Sequence, residues 1–383
     1  MIYLDQAASS FPKPKTVAVA MAEAVNEYGA NPGRSGHRLG RKASETIDRA
    51  REKLSSFFQC PGADRVLFYQ NATQAINQGL LGFSFESGDH VIATKYEHNS
   101  VRRPLEWLKK EKGIEVTYLT PDSEGRIETK TLLDALRATT KMVVATHASN
   151  VTGTVLPVEE WGEVLHNETS ATFMVDASQT AGVLPIDMKK SGIDLLAFPG
   201  HKGLLGPQGV GVLMVKPDVK LSPIYFGGTG SHSETPLQPD VWPTGMQSGT
   251  LNTPGIAGLV KGLEAVEKMG LDNIYEHETH LTDKLIAGLS THEEIHVVQA
   301  AAKRLGVVSF YMDGADVHEI AMILDEHYNI AVRAGLHCAP LSHYYFNTAK
   351  TGLVRVSVGP YNTENEIDTF IEAITEIKEG LLG

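Results

Sequence analysis

Between residues 66 and 199 the chain alternates short apolar runs with longer amphipathic ones, and this alternation constrains the fold more than any other feature. Val66–Tyr69, His90–Thr94, Glu115–Leu119, Met142–His147, Thr172–Ala177 and Asp194–Pro199 read as strands. Residues 39–59 precede them with apolar positions at helical spacing, and 73–82, 101–112, 130–138 and 158–166 fall between them with the same period. Apolar strands joined by crossover helices make a mostly parallel sheet covered on both faces, an α/β layer. Gly209–Val215 follows the last of these strands too closely for a crossover helix, so that pair is expected to be antiparallel.

The pattern changes after Asn252. Residues 254–268 and 275–289 read as helices, as do 316–327 and 363–380. Strands are expected near 295–298, 307–312 and 354–358, which together make a smaller α+β domain. The expected division is a large domain over 15–255 and a small one from 1–14 with 256–383. Residues 217–250 are rich in Gly, Pro and Ser, and a loop of that length inside a compact domain is commonly functional.

Composition excludes several classes. At 42% hydrophobic residues the chain can bury a sizeable core and is not a disordered protein. Lys plus Arg total 34 against 46 Asp plus Glu, a net charge of −12, which argues against nucleic acid or an anionic membrane as partner. Two cysteines, Cys60 and Cys338, cannot build a disulfide scaffold and lack the spacing of a structural zinc site, so no metal is expected. The N-terminal MIYLDQAASSFPKPK lacks the pattern of a signal peptide, and no apolar run is long enough to span a membrane. The expected location is the cytoplasm.

Ligands of open parallel sheets bind beyond the carboxyl ends of the strands. Five strand ends here carry polar or ionisable groups: Asn71-Ala72-Thr73, Glu97-His98-Asn99, Ser149-Asn150, Asp176 with Gln179, and His201-Lys202. Asn71-Ala72-Thr73 opens a helix, whose N-terminal amides suit a phosphate, although an ordinary N-cap has the same signature. Asp176 closes an apolar strand, where a carboxylate is costly unless paired. Lys202 lies in a Gly-containing turn and is either a surface lysine or a Schiff-base lysine of lowered pKa. His98 either caps a helix or stacks on a planar cofactor. A phosphate cradle, a carboxylate, a stacking ring and a turn lysine together fit pyridoxal 5'-phosphate. The rival Gly203-to-Gly211 stretch is neither a P-loop nor a dinucleotide fingerprint, because it precedes a strand and lacks the terminal Gly-Lys-Ser/Thr.

The chain resembles the class V aminotransferase group of fold-type I pyridoxal-phosphate enzymes, and within it the cysteine desulfurase and selenocysteine lyase branch. The resemblance spans nearly the whole chain. It rests on the ordered set Tyr3-Leu4-Asp5-Gln6-Ala7-Ala8, Asn71 to Asn77, Glu97-His98-Asn99, Ser149 to Gly153, Val175 to Gln179 and Gly200-His201-Lys202, and it continues through Gly249 to Thr253, Arg333 to Ala339 and Arg355-Val356-Ser357. It implies a large domain with a mostly parallel seven-stranded-type sheet and a smaller α+β domain. It implies Lys202 as the Schiff-base lysine and proton carrier, and His98 stacked on the cofactor ring and handling protons as a catalytic residue. Asp176 would pair the ring nitrogen and Gln179 the phenolic oxygen. Ala72, Thr73 and His201 would hold the phosphate, and Thr250 would reach in from the second subunit of a homodimer. Asn150 and Arg355 would bind the substrate carboxylate, and Cys338 would accept sulfur as a persulfide.

Cys338 follows Arg333 and His337 in a loop, where positive charge would favour the thiolate, whereas Cys60 reads as a small buried hydrophobe. Pro199, Leu336 and Gln74 depart from the branch's common residues. The expected function is conversion of L-cysteine to L-alanine with sulfur handed to a protein acceptor. Selenocysteine lyase, another C–S lyase, an epimerase or an aminotransferase would use the same lysine and aspartate. A non-catalytic sulfur carrier on the same fold would need neither. His232, in the long loop, is a candidate for approaching the second subunit's site.

Overall fold

The computed structural model describes residues 1–33, 36–230, 233–298 and 301–382; His232 lies outside them. The chain opens with β1 (Ile2–Tyr3), α1 (Lys15–Tyr28) and α2 (Arg38–Phe58). The alternating region then runs β2 (Val66–Tyr69), α3 (Ala72–Leu81), β3 (His90–Thr94), α4 (Asn99–Lys112), β4 (Glu115–Leu119) and α5 (Thr129–Ala135). It continues with β5 (Thr140–Thr146), α6 (Val158–Glu168), β6 (Thr172–Asp176), β7 (Leu195–Pro199) and β8 (Gly211–Val215).

These strands form one seven-stranded sheet in the order β2-β8-β7-β6-β5-β3-β4. β8 is antiparallel to both its neighbours and every other pair is parallel, as expected for the short β7–β8 connection. The strands read as unbroken apolar runs because both faces are buried. Val66 and Phe68, Phe173 and Val175, and Leu196 and Phe198 join one core with α2 and α6. Leu67, Met174, Leu195 and Ala197 point the other way, against α3 and α4. Successive side chains alternate between faces, so one strand serves two cores. Leu196 is fully buried, and truncating it to Ala is expected to cost about 2–5 kcal/mol.

The rest comprises α7 (Thr253–Met269), α8 (Leu271–Leu289), β9 (Ile295–Val297), β10 (Val307–Met312), α9 (Val317–Tyr328), β11 (Ile330–Ala331), β12 (Arg333–Gly335), α10 (Pro340–Tyr345), β13 (Leu353–Ser357) and α11 (Glu364–Leu382). α7 sends Ile256, Leu259 and Leu263 into the first core of the large sheet. An antiparallel sheet, β12-β13-β10-β9, carries a separate core with Leu281, Leu285, Phe310, Val354, Phe370 and Ile374. β1 pairs with β11, which ties the N-terminus to this second core. Residues 6–13 then run from it to the turn that holds Lys202.

Helix α1 was not legible in the sequence. Val17, Ala20, Ala24 and Tyr28 are buried on one face, but Val19 and Val25 stand exposed on the other and blur the period. Strands β11 and β12 and helix α10 are two, three and six residues long, too short for a periodic signal.

Candidate active site

A cavity of about 220 Å³ opens where the carboxyl ends of β5, β6 and β7 meet the N-terminus of α3. Ala72, Thr73, His98, Asn150, Asp176, Gln179, His201, Lys202 and Arg355 all line it. These residues come from distant parts of the sequence, and all but Arg355, which lies within β13, sit at or just beyond strand and helix ends.

Asp176 ends β6 at 2% exposure. Ser178 donates to its Oδ1 from both backbone amide and hydroxyl, which leaves Oδ2 for a ligand. Lys202 follows β7 in a turn packed tightly on residues 181–183. A Cβ at Gly203 would stand 2.6 Å from the Ala181 carbonyl oxygen, so only glycine fits there. Burial pushes the Lys202 ammonium down to about 8, against the pull of Asp176. A lysine in that state is neutral often enough near pH 8 to act as nucleophile and base.

His98 caps α4, with Nδ1 accepting from the Ser100 amide at 3.1 Å. The ring proton is therefore assigned to Nε2. Burial lowers the His98 pKa to about 4, so the ring is neutral at pH 7. Capping and lining the cavity are thus compatible roles. Asn71 caps α3 by accepting from Gln74 N, which leaves the helix N-terminus at Ala72 and Thr73 facing the cavity. His201 is held nearby with a buried, unpartnered Nδ1. Gln179 donates to the Ala7 carbonyl at 3.3 Å.

Arg355, 1% exposed, donates to Asp5 Oδ1 at 2.6 Å and to the Asn150 carbonyl at 3.1 Å. Asn150 Nδ2 donates to the His337 carbonyl at 2.6 Å, while Asn150 Oδ1 and Arg355 Nε are buried without partners. Among the buried polar atoms without partners, those of Asn150, His201 and Arg355 belong to residues that line the cavity, consistent with a polar ligand there.

Cys338 does not line this cavity. It is half-buried, with its carbonyl accepting from Asn99 N at 2.7 Å. Arg333, which does line the cavity, places Nη2 at 3.7 Å from Cys338 Sγ. His337 is not the expected second cation, because burial above all holds it neutral, down to about 2. The positive charge beside the thiol is that of Arg333 alone of the two. Thr250 lies elsewhere, in a cavity of about 530 Å³ with Tyr225, Phe226 and Asn252.

Sequence reasoning had not singled out Asp5 as the partner of Arg355, nor Glu97 as a buried acid beside the site. Glu97 is fully buried and accepts from Thr94 Oγ1 and Thr146 N, with burial pushing its carboxyl up to about 8. Of the departures, Gln74 accepts from Gln70 N through Oε1, Pro199 lines the cavity, and Leu336 is 41% exposed.

Residues 2–370 match the model of the family described as aminotransferase class-V. The chain is 36% identical to a probable cysteine desulfurase of Methanothermobacter thermautotrophicus, over 98% of this chain and 94% of that protein. It is 32% identical to a cysteine desulfurase of Escherichia coli, over 100% and 94%. The fold superimposes on the apo structure of cysteine desulfurase from Thermococcus onnurineus NA1 with a TM-score of 0.91, at 33% identity over 99% and 95% of the two chains. With a family match over nearly its full length and a lysine, a buried aspartate and an open helix N-terminus around one cavity, this chain belongs to the aminotransferase class-V family.

Proposed function

We propose that the protein is a pyridoxal-phosphate-dependent cysteine desulfurase that converts L-cysteine to L-alanine and leaves the sulfur on Cys338. One observation carries this reading: Arg333 lines the cavity that holds Lys202 and Asp176, and the same side chain reaches Cys338 Sγ. A cofactor-binding cavity and a thiol beside a fixed cation are thereby neighbours.

The cavity fits the cofactor. Asp176 Oδ2 would meet the ring nitrogen, Gln179 the phenolic oxygen, and the amides at Ala72 and Thr73, with His201, the phosphate. His98 would cover the ring. When bound, pyridoxal phosphate supplies an electron sink for charge developing at the substrate's α-carbon. Arg355 and Asn150 orient the substrate carboxylate, through charge-assisted and amide hydrogen bonds. Lys202, neutral in part near pH 8, takes the α-proton and later returns one. Arg333 holds its guanidinium beside the Cys338 sulfur, where the reacting thiolate would form. That thiolate attacks the substrate sulfur: an S–S bond forms, the Cβ–S bond breaks, and Cβ gains a proton. The sum is L-cysteine plus a Cys338 thiol giving L-alanine plus a Cys338 persulfide, with no external oxidant or reductant.

The working unit of this reading is a cytoplasmic homodimer of two-domain chains, divided near residue 255, that passes sulfur to a protein acceptor. Thr250 serves the neighbouring protomer's site. Exposed Phe226 and Leu237, at 73% and 76%, support a covering partner on the long loop. Among the described residues no helix is long and apolar enough to cross a membrane.

The reading is tested by borohydride reduction of the yellow holoenzyme followed by peptide mapping. The label is expected on Lys202, with alanine rather than pyruvate released from L-cysteine. A label elsewhere, or pyruvate as the product, overturns it.

A further inference from the structure

Arg355 sits in the middle of β13, and Arg333 of β12 is its direct cross-strand partner. Like charges directly opposite each other in an antiparallel pair repel. Both arginines line the active-site cavity. A buried guanidinium facing a second one needs an opposite charge to stay in place.

That charge comes from the other end of the chain. Asp5 Oδ1 accepts from Arg355 Nη2 at 2.6 Å, and among the described residues Asp5 is the one acid ion-paired with Arg355. The backbone fixes where this carboxylate stands. The Leu4 carbonyl accepts from Ser357 N at 2.7 Å, and Asp5 forms a parallel bridge with Ser357, two residues beyond Arg355. The Asp5 carbonyl accepts from Tyr3 Oη at 3.2 Å and from Ala8 N at 3.0 Å. Asp5 itself does not line the cavity. Arg355 is thereby held at both terminal nitrogens, Nη2 by Asp5 and Nη1 by the Asn150 carbonyl, while its Nε is buried without a partner among the described residues. A side chain fixed before its ligand arrives loses little rotamer freedom on binding.

We propose that Asp5 is a positioning residue for substrate-carboxylate recognition: it holds Arg355 against the repulsion of Arg333 and keeps the guanidinium aimed into the cavity. Asp5 touches neither substrate nor cofactor and acts through Arg355. The charge balance runs the same way at two groups. Burial above all, then Arg333, works against the Arg355 charge, and Asp5 supports it. Burial above all, with Arg355 and Arg333, works against the Lys202 ammonium, and Asp176 and Asp5 support it. The inference rests on the reading that Arg355 binds the carboxylate of an amino-acid substrate.

The test uses the pyridoxal-phosphate-loaded enzyme and two amines, L-alanine and ethylamine, which differ by the carboxylate. Binding is followed as the change in the cofactor's absorbance, without turnover. Asp5→Asn keeps an acceptor and loses the charge, whereas Asp5→Ala loses both. Kd for L-alanine is expected to rise about threefold in Asp5→Asn and about tenfold in Asp5→Ala, while Kd for ethylamine stays at its wild-type value in both. A general loss of structure would weaken the two amines alike. A second readout needs no cofactor: the pH profile of Lys202 acetylation, followed by mass spectrometry. Because Asp5 supports the ammonium, Asp5→Asn is expected to move the midpoint to lower pH by about 0.3 unit. Equal weakening of both amines, an unchanged affinity for L-alanine, or an acetylation midpoint that stays or rises overturns the proposal. If L-alanine leaves the wild-type absorbance unchanged, the reading of Arg355 as a substrate residue fails, and the acetylation profile still decides whether Asp5 balances the charge of the site.

Discussion

The Lys202 turn and the Cys338 loop both lie where the two cores meet, and they are held in opposite ways. The lysine turn is gripped from outside by the N-terminal segment. The His201 carbonyl accepts from Ser10 N at 3.0 Å and Lys13 Nζ at 2.6 Å, and the Lys202 carbonyl accepts from Ser10 Oγ at 2.9 Å. The cysteine loop instead folds through two successive left-handed residues, His337 at φ 50° and Cys338 at φ 59°. Such non-glycine conformations cost about 1–3 kcal/mol each. Two hydrogen bonds, from cavity-lining Asn150 to the His337 carbonyl and from Asn99 N at the start of α4 to the Cys338 carbonyl, offset part of that. Under the proposed function the difference separates two tasks. Proton transfer needs an amine that is dry and immobile, whereas sulfur transfer needs a thiol that is close to the site yet reachable from outside.

The largest effect is expected at Lys202. Lys202→Ala is expected to lower the rate of alanine formation by about 10²–10⁴-fold or more, read by amino-acid analysis, with loss of the borohydride-reducible chromophore. Next, Arg355→Leu removes charged hydrogen bonds worth about 1.5–3 kcal/mol each, so KM for L-cysteine should rise about 10- to 100-fold while the chromophore remains. Asn150→Ala frees the cysteine loop from one neutral hydrogen bond of about 1 kcal/mol, so carbamidomethylation of Cys338 by iodoacetamide should accelerate about fivefold. The acetylation rate of Lys202 in cofactor-free protein should rise with pH through about 8, because a lowered lysine pKa leaves the reactive neutral amine above that pH. An exposed lysine should not reach its midpoint until about 10.4. The smallest effect is at the grip itself. Ser10→Ala loses the bond to the Lys202 carbonyl, at about 1 kcal/mol, read as a modest fall in Tm.

The seven-stranded sheet was legible because its strands are short, apolar and bounded by turn residues. Val66–Tyr69, His90–Thr94 and Glu115–Leu119 match residue for residue. The strand expected from Gly209 begins at Gly211 instead, because Gly209 turns through φ 83°. The helix expected to reach residue 138 stops at Ala135, where Leu136 becomes extended. Strand-end logic brought eight candidate residues to one cavity, and the family resemblance added Arg355. Contacts across the whole chain left no local trace, as with Asp5 and Arg355, 350 residues apart. The neutrality of His337 was equally hidden, since burial sets it and sequence spacing does not. Glu278 had left a signal. It falls on the helix stripe Ile274, Glu278, Leu281 and Leu285, where an acid at an apolar position marks a buried carboxyl.

Assay of alanine and sulfide from L-cysteine with excess reductant, wild type beside Cys338→Ser, decides whether the sulfur passes through Cys338. Wild type is expected to give equal amounts of alanine and sulfide, with a persulfide on Cys338 when reductant is withheld, and the variant neither product despite a normal chromophore. A Cys338→Ser enzyme as active as wild type would contradict it, because sulfur would then be leaving without passing through that thiol.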